Sequence, residues 1–214
     1  HLLHLRSRVA QRRHTKAIEY GIGNAKKDSL TGLIDRETFV DELKSAMLRV
    51  KRTGGEIRVI VVDINRFKKE INDTFGHAIG DKVIKAYAAA LRSGAREYDL
   101  IGRIGKGDEF GIILEDREIT DGALADSYVT RVDQKLVEIS KTDDDLMKVA
   151  RSINGFSASM GMSTYLGLGD TDVTAEKLLS IADIAMYHAK TESPSTSKLV
   201  LGNPEMVMPK DIPR

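Results

Sequence analysis

The chain has 214 residues, 41% of them hydrophobic and 30% charged, a balance that suits one globular domain plus extensions. It contains no cysteine, which excludes disulfides and thiolate metal sites, and its five scattered histidines argue against a zinc centre. No apolar run approaches the roughly 20 residues that span a bilayer. The first residue is His1 with no signal-peptide pattern after it, so the chain reads as a piece of a longer protein.

Charge is spread unevenly. Residues 1–27 carry seven basic side chains against Glu19 alone, a balance of +6 that leaves −5 for the remainder. Such a segment suits either a solvated helix or a linker helix just inside a membrane, where Lys and Arg gather. Nucleic-acid binding is the weaker reading, because the rest of the chain is acidic and only 5% of residues are aromatic.

Residues 1–20 are expected to be helical, with Leu2, Leu5 and Val9 at heptad-like spacing that lapses at Arg12 and Lys16. Gly21 to Asn24 breaks this pattern and marks a domain boundary. From Asp35 the spacing of Phe39, Leu43, Met47 and Val50 predicts a helix that ends at Thr53-Gly54-Gly55. Ile57 to Ile64 is continuous and β-branched, as in a buried strand. A short helix near Phe67 and a longer one over about Ile79–Leu91 come next, the latter with Ile84, Tyr87, Ala88 and Leu91 inward. Two short apolar runs, Leu100–Ile104 and Phe110–Leu114, flank Gly105-Lys106-Gly107-Asp108-Glu109 and read as a β-hairpin.

A helix over roughly Gly122–Ile139 is predicted next, with Val129, Val132, Leu136 and Ile139 as its stripe. Asp143-Asp144-Asp145 suits a loop or helix cap better than a metal site. Phe156–Ser163 reads as a strand, Ala175–Lys190 as a helix and Leu199–Leu201 as a last short strand. Prolines occur only from Pro194 onward, and there are no internal repeats. The sum is a mixed α/β (α+β) sandwich around one sheet that contains a central hairpin, helices on both faces.

Three acids stand out. Asp63 ends a buried strand, at the rim of the sheet where ligands bind in α/β proteins. An unpaired carboxylate there is costly to bury, so a metal ion or a basic partner is expected. Asp108 and Glu109 sit at the hairpin turn, where two carboxylates plus phosphate oxygens suit a hard Mg²⁺ ion. Adjacent strand residues point to opposite faces, so both reach one ion only if the turn twists them. Gly105 and Gly107 let a phosphate approach the backbone amides. Between Phe67 and Asp81, Asn and Asp side chains have the donors and acceptors to read a base edge, with room left by Gly76 and Gly80. His77 in this stretch suits packing better than catalysis.

These residues together resemble the GGDEF domains of diguanylate cyclases. The resemblance runs in order through Asp28-Ser29-Leu30-Thr31-Gly32-Leu33, Asp63 to Lys68, Ile71-Asn72-Asp73, Gly76-His77 and Gly80-Asp81. It continues through Gly107-Asp108-Glu109-Phe110, Ser159-Met160-Gly161, and Ala182-Asp183 to Lys190. It implies a palm-like, nucleotide-cyclase-like fold with a mostly antiparallel sheet. The organisation expected is a linker or signalling helix over 1–24, a GGDEF domain over 25–201 and a tail over 202–214.

The resemblance further implies that Asp63, the Ile64 carbonyl and Asp108 hold Mg²⁺ or Mn²⁺, and that Glu109 assists deprotonation of a ribose hydroxyl. Asn72 and Asp81 would read guanine, and Lys68 and Lys190 would contact the triphosphate. Arg96 and Asp99, an RxxD pair just before the hairpin, match the family's product-inhibition site. The implied reaction is condensation of two GTP into cyclic di-GMP by a two-fold homodimer. The setting implied is cytoplasmic, under an upstream sensor and in a soluble or membrane-anchored protein.

Four features depart from the family's pattern. Two residues, Lys69 and Glu70, separate Phe67-Lys68 from Ile71-Asn72-Asp73 where one is usual. Lys106 is an extra residue in the hairpin, and an inserted residue reverses the facing of the strand beyond it unless a bulge or turn absorbs the change. Thr191-Glu192-Ser193-Pro194 replaces the usual Gly-Arg/Lys-Asn segment, so a second phosphate-binding cation is missing or moved to Lys198. Asn65 stands for a usual Asp and Asp35 for a usual Asn. The insertions motivate an alternative reading: a catalytically silent domain that binds cyclic di-GMP or GTP.

Overall fold

The computed structural model describes residues 26–105, 107–115, 121–167 and 172–208. The expected amino-terminal helix with its basic cluster, the inserted Lys106 and the last residues of the tail lie outside the described residues.

Helix α1, Arg36–Thr53, begins where Asp35 accepts a hydrogen bond from the Thr38 amide, and ends at Gly54 with φ 77°. Strand β1, Glu56–Ile64, is buried along almost its whole length. Phe67–Asn72 then forms a π-helix that runs into a single turn at Asp73–Phe75. Helix α2, His77–Gly94, leads to the hairpin of β2, Leu100–Arg103, and β3, Glu109–Glu115. Helix α3, Asp121–Ser140, and helix α4, Asp144–Ser152, precede β4, Ala158–Leu166. Helix α5, Ala175–Glu192, and β5, Lys198–Leu201, complete the described chain.

The sheet order is β2-β3-β1-β4-β5. Every pairing is antiparallel except β4 with β5. Alternation along β1 divides the core. Ile60 and Val62 join Ile112, Met160 and Met162 under Val83, Tyr87 and Leu91 of α2, Tyr128 and Val132 of α3, and Val149 of α4. Val59 and Val61 face the other way, against Phe39 and Leu43 of α1 and Leu178, Ala182 and Met186 of α5. The expected mixed sheet with helices on both faces is therefore the observed one. Helix α4 had no counterpart in the expected elements: Asp143 is its N-cap, accepting from the Asp145 and Leu146 amides. Its apolar stripe, with Leu146 and Val149 buried, is too short for periodicity to separate from a loop.

One close approach positions the site. A Cβ on Gly161 of β4 would lie 2.0 Å from the Ala182 carbonyl oxygen and 2.2 Å from the Met186 nitrogen. Only glycine lets α5 settle this low on the sheet. Gly161→Ala should therefore lower stability by about 3 kcal/mol, at the upper end of the range for an overpacked core. Urea unfolding of the two proteins checks this; a loss well under 1 kcal/mol would mean that α5 yields at no cost.

Candidate active site at the carboxyl end of the central strand

The register of β1 sets the site. Asp63 pairs with Glu109 of β3 on one side and with Ser159 of β4 on the other. Directly opposed residues share a face, so Asp63 and Glu109 both stand on the side of the sheet that carries α5. Lys190, in the last turns of α5, reaches across and donates to Asp63 Oδ1 at 2.7 Å. Asp63 is only 8% exposed. Its pKa is nevertheless raised, because burial outweighs the attraction of Lys190.

Asp108 lies just before β3. Burial first, and then the charge of Asp63, push its carboxyl up to about 7, with Lys190 acting the other way. Asp183 on α5 is a further acid of this rim. Its pKa is raised by burial, then by Glu109 and Asp63, with Arg36 opposing. Sequence reasoning assigned it no role, although its position seven residues before Lys190 puts both on one helix face.

Among the described residues no group of three or more His, Cys, Asp or Glu side chains converges as a metal site. Asp63 and Glu109 face each other across the ladder, and both charges act on Asp108. Asp63 acts on Asp108 more strongly than Glu109 does, and Glu109 folds back over the hairpin: a Cβ on Gly105 would lie 2.1 Å from Glu109 Oε2. Two desolvated, mutually repelling carboxylates with one nearby cation make a donor set that a hard divalent ion fits.

The expected base-recognition residues behave differently from one another. Asn72 Oδ1 is buried without a hydrogen-bond partner. Gly80 makes its space, since a Cβ there would sit 1.9 Å from that oxygen. Asp81 and Lys68 are exposed, with no ion pair to hold them among the described residues. Arg96 and Asp99 form a closed turn in which the Arg96 amide donates to Asp99 Oδ2 at 2.8 Å. The Arg96 guanidinium lies outside, donating to the Tyr98 hydroxyl at 2.7 Å.

Two local devices accommodate the inserted residues. The π-helix at Phe67–Asn72 contains Lys69 and Glu70. Its i→i+5 bonding takes one more residue into a turn, so Phe67 and Ile71 both stay buried and Asn72 still faces Gly80. At the hairpin, Arg103 Nε and Nη2 both donate to the Gly107 carbonyl, at 2.9 and 2.8 Å. Its Nη1 donates to both oxygens of Asp28, at 3.2 and 3.1 Å. The guanidinium thus staples the enlarged turn to the start of the domain, with a planar fork that Lys could not supply. Sequence reasoning missed this staple; a lone Arg four residues before a glycine carries no signal by itself.

The comparisons with known proteins agree with this geometry. A family model described as "Diguanylate cyclase, GGDEF domain" matches residues 25–195. The chain belongs to the GGDEF family. Response regulator PleD of Caulobacter vibrioides is 33% identical over 190 residues, which are 87% of this chain and 39% of PleD. Diguanylate cyclase DgcS of Shewanella oneidensis is 32% identical over 174 residues, 80% of this chain and 52% of DgcS. The chain thus spans about half or less of these relatives. The GGDEF domain of DgcB from Caulobacter crescentus, solved in complex with c-di-GMP, superposes with a TM-score of 0.65 at 26% identity. That match covers 83% of this chain and 96% of the DgcB domain.

The raised pKa of Asp108 makes a stability statement. Its folded value of about 7 exceeds the ordinary 3.8, so the fold favours the protonated form. The associated stability is fully present below pH 3.8 and is lost as pH rises through about 7. In metal-free buffer, Asp108→Asn should stabilise the domain by on the order of 1–3 kcal/mol at pH 8, with the gain shrinking toward pH 4. Urea melts across that range test it; a gain independent of pH would show that Asp108 does not carry this strain.

Proposed function

We propose that this domain is a diguanylate cyclase that condenses two GTP molecules into cyclic di-GMP with release of two pyrophosphates. The observation that supports the reading most directly is the crowding of Asp63 and Asp108 at the end of β1, with Glu109 opposite and Lys190 in contact. Asp63, the Ile64 carbonyl and Asp108 would hold a Mg²⁺ or Mn²⁺ ion, which when bound lowers the pKa of a ribose hydroxyl and offsets charge at the phosphate.

The chain's own residues do the remaining work in this reading. The buried, unpartnered Asn72 Oδ1 would accept from the guanine edge, and Asp81 would accept from the N1 and N2 groups. Lys190 would leave Asp63 for the triphosphate, since the phosphates offer it more charge than one carboxylate. Lys68, free to reorient, would be a second phosphate contact, and the backbone at Gly105 and Gly107 would border the same phosphates. Glu109, beside these groups, would accept the proton of the attacking 3′-hydroxyl.

Each GTP must be attacked by the other's hydroxyl, so the active form would be an antiparallel homodimer with two facing sites. The segment before residue 25 would link this output domain to an upstream sensor. A cytoplasmic setting follows from a GTP substrate, and no helix among the described residues is long and apolar enough to cross a membrane.

A second reading draws on the Arg96–Asp99 turn. That turn is already closed with its guanidinium outside, so it would bind cyclic di-GMP as inhibitory product, or as the main ligand of a silent domain. The deciding experiment incubates the purified protein with GTP and Mg²⁺ and separates the nucleotides. Cyclic di-GMP and pyrophosphate are expected in a ratio of about 1:2, the stoichiometry of two displacements. No product at high protein concentration, with added cyclic di-GMP still bound, would overturn the cyclase reading in favour of the receptor.

Guanine reading is tested separately. Gly80→Ala should leave the domain folded, because alanine favours a helix by about 1 kcal/mol and the overlap is with the end of the Asn72 side chain, which can swing away, rather than with backbone. Its methyl group occupies the space beside Asn72 Oδ1, so GTP binding should weaken about tenfold or more, as expected when a buried polar contact is lost. Calorimetric GTP titration decides it; unchanged affinity would remove Asn72 from the base site.

A further inference from the structure

The end of β1 is held by a buried polar network that neither the metal assignment nor the base assignment uses. Asn65, two residues beyond Asp63, is 2% exposed, and its neighbours Ser157 and Ser159 are 3% and 0% exposed. Ser159 Oγ donates to Asn65 Oδ1 at 2.6 Å. Asn65 Nδ2 donates to Ser157 Oγ at 3.1 Å and to the Thr196 carbonyl at 3.4 Å. The Asn65 backbone amide donates to the Ser157 carbonyl at 3.0 Å. A carbonyl oxygen only accepts, so the contact with Thr196 fixes which end of the carboxamide points where.

This network joins three parts of the rim. Ser157 lies just before β4 and Ser159 near its start, where it is the direct partner of Asp63 in the ladder. Thr196 lies in the segment between α5, which carries Lys190, and β5. Its neighbour Ser197 is anchored independently: Ser197 Oγ donates to Asp133 Oδ1 at 2.6 Å and accepts from the Ala158 amide at 3.1 Å. Immediately after Asn65 the chain turns through Arg66 with φ 62°, a left-handed conformation, into the π-helix. The ladder holds Asp63 and Ile64, Asn65 extends that hold one residue further on the β4 side, and the Arg66 guanidinium adds bonds to the Ile153 and Gly155 carbonyls at 2.9 and 3.3 Å.

We propose that Asn65 is a positioning residue for catalysis: its carboxamide fixes the end of β1, and so the placement of Asp63 and the Ile64 carbonyl toward a divalent ion. This rests on the cyclase reading above and deepens it. The choice of Asn over Asp follows from the same contacts. An Asp at this position would turn a carboxylate oxygen toward the Thr196 carbonyl, losing a donor and setting two acceptors against each other. It would also add another buried negative charge two residues from Asp63. Asn65, one departure of this chain from its family's pattern, thus contacts the stretch that directly follows another, the replaced segment 191–194.

The test is Asn65→Asp, nearly isosteric with the native residue, with Ser159→Ala as a second variant that removes only the bond to Oδ1. Folding is followed by thermal melting without metal. Two readouts a merely structural role would not move are then taken: kcat and KM for GTP, and the Mg²⁺ concentration that half-saturates binding of a non-hydrolysable GTP analogue by calorimetry. Both variants should stay folded. Asn65→Asp should lower kcat and raise the Mg²⁺ half-saturation about tenfold or more, the range seen when residues that orient metal ligands are changed, with KM moving less. Ser159→Ala should shift both in the same direction by less.

Values within twofold of wild type in a folded Asn65→Asp would overturn the proposal while leaving the cyclase reading intact. So would losses that only track the unfolded fraction in both variants. A wild type that makes no cyclic di-GMP, yet binds the analogue in a Mg²⁺-dependent way that Asn65→Asp weakens, would refute the cyclase reading and support the positioning role. Wild type that neither turns over nor binds the analogue with Mg²⁺ would overturn both.

Discussion

A carboxylate lies buried at the end of the central strand, and the single cation paired with it does not offset the cost. Asp63 and Lys190 are 2.7 Å apart, yet burial still raises the Asp63 pKa. Asp108 adds a second carboxylate under the same strain, raised to about 7, and Asp183 adds a third acid whose pKa is raised. A fold does not collect repelling acids around a dry strand end for stability, because apolar residues of similar size would be less costly there. The arrangement makes sense as a place where positive charge is expected to arrive.

The rest of the structure holds that strand end still. Gly161 lets α5 descend onto the sheet, which brings Lys190 within reach of Asp63. Phe39 and Leu43 of α1 close the same face of the sheet. On the opposite face, Tyr87 and Val132 belong to the cluster that buries Ile60, Val62 and Ile64 of β1. Arg103 fixes the hairpin loop by gripping the Gly107 carbonyl and Asp28 together. The site is thus assembled from four separate stretches of chain, each placed by packing that lies away from the chemistry.

The two inserted residues show how such a site tolerates change. Around Lys69 and Glu70 the helix widens to π geometry, and the buried faces of Phe67 and Ile71 are preserved. In the hairpin, the ladder closes normally at Arg103 opposite Phe110, so the enlargement is confined to the turn. Neither change propagates into β1 or β3, whose pairing is unbroken from Ile57 opposite Glu115 to Asp63 opposite Glu109.

Much of this was legible in the residues. The apolar periodicity of α1, α2 and α5, the β-branched run of β1 and the glycine-rich hairpin all follow from local spacing, which reflects burial along one element. Asp63, Asp108, Glu109 and Lys190 were identifiable because the ordered motifs resemble those of one family. Helix α4 was not, since a nine-residue segment shows little more than two turns of pattern.

Sequence could not decide how residues far apart in the chain share space. It named Asp63 and Lys190, 127 positions apart, without their ion pair, and left open how the adjacent Asp108 and Glu109 divide their work. Arg103 on Asp28, Asn65 on Thr196 and Asp183 near Glu109 were invisible for the same reason. Local pattern determines which face of an element is buried. Which charges then meet, and at what cost, depends on how deeply helices seat on the sheet, and that is set only when the whole core closes.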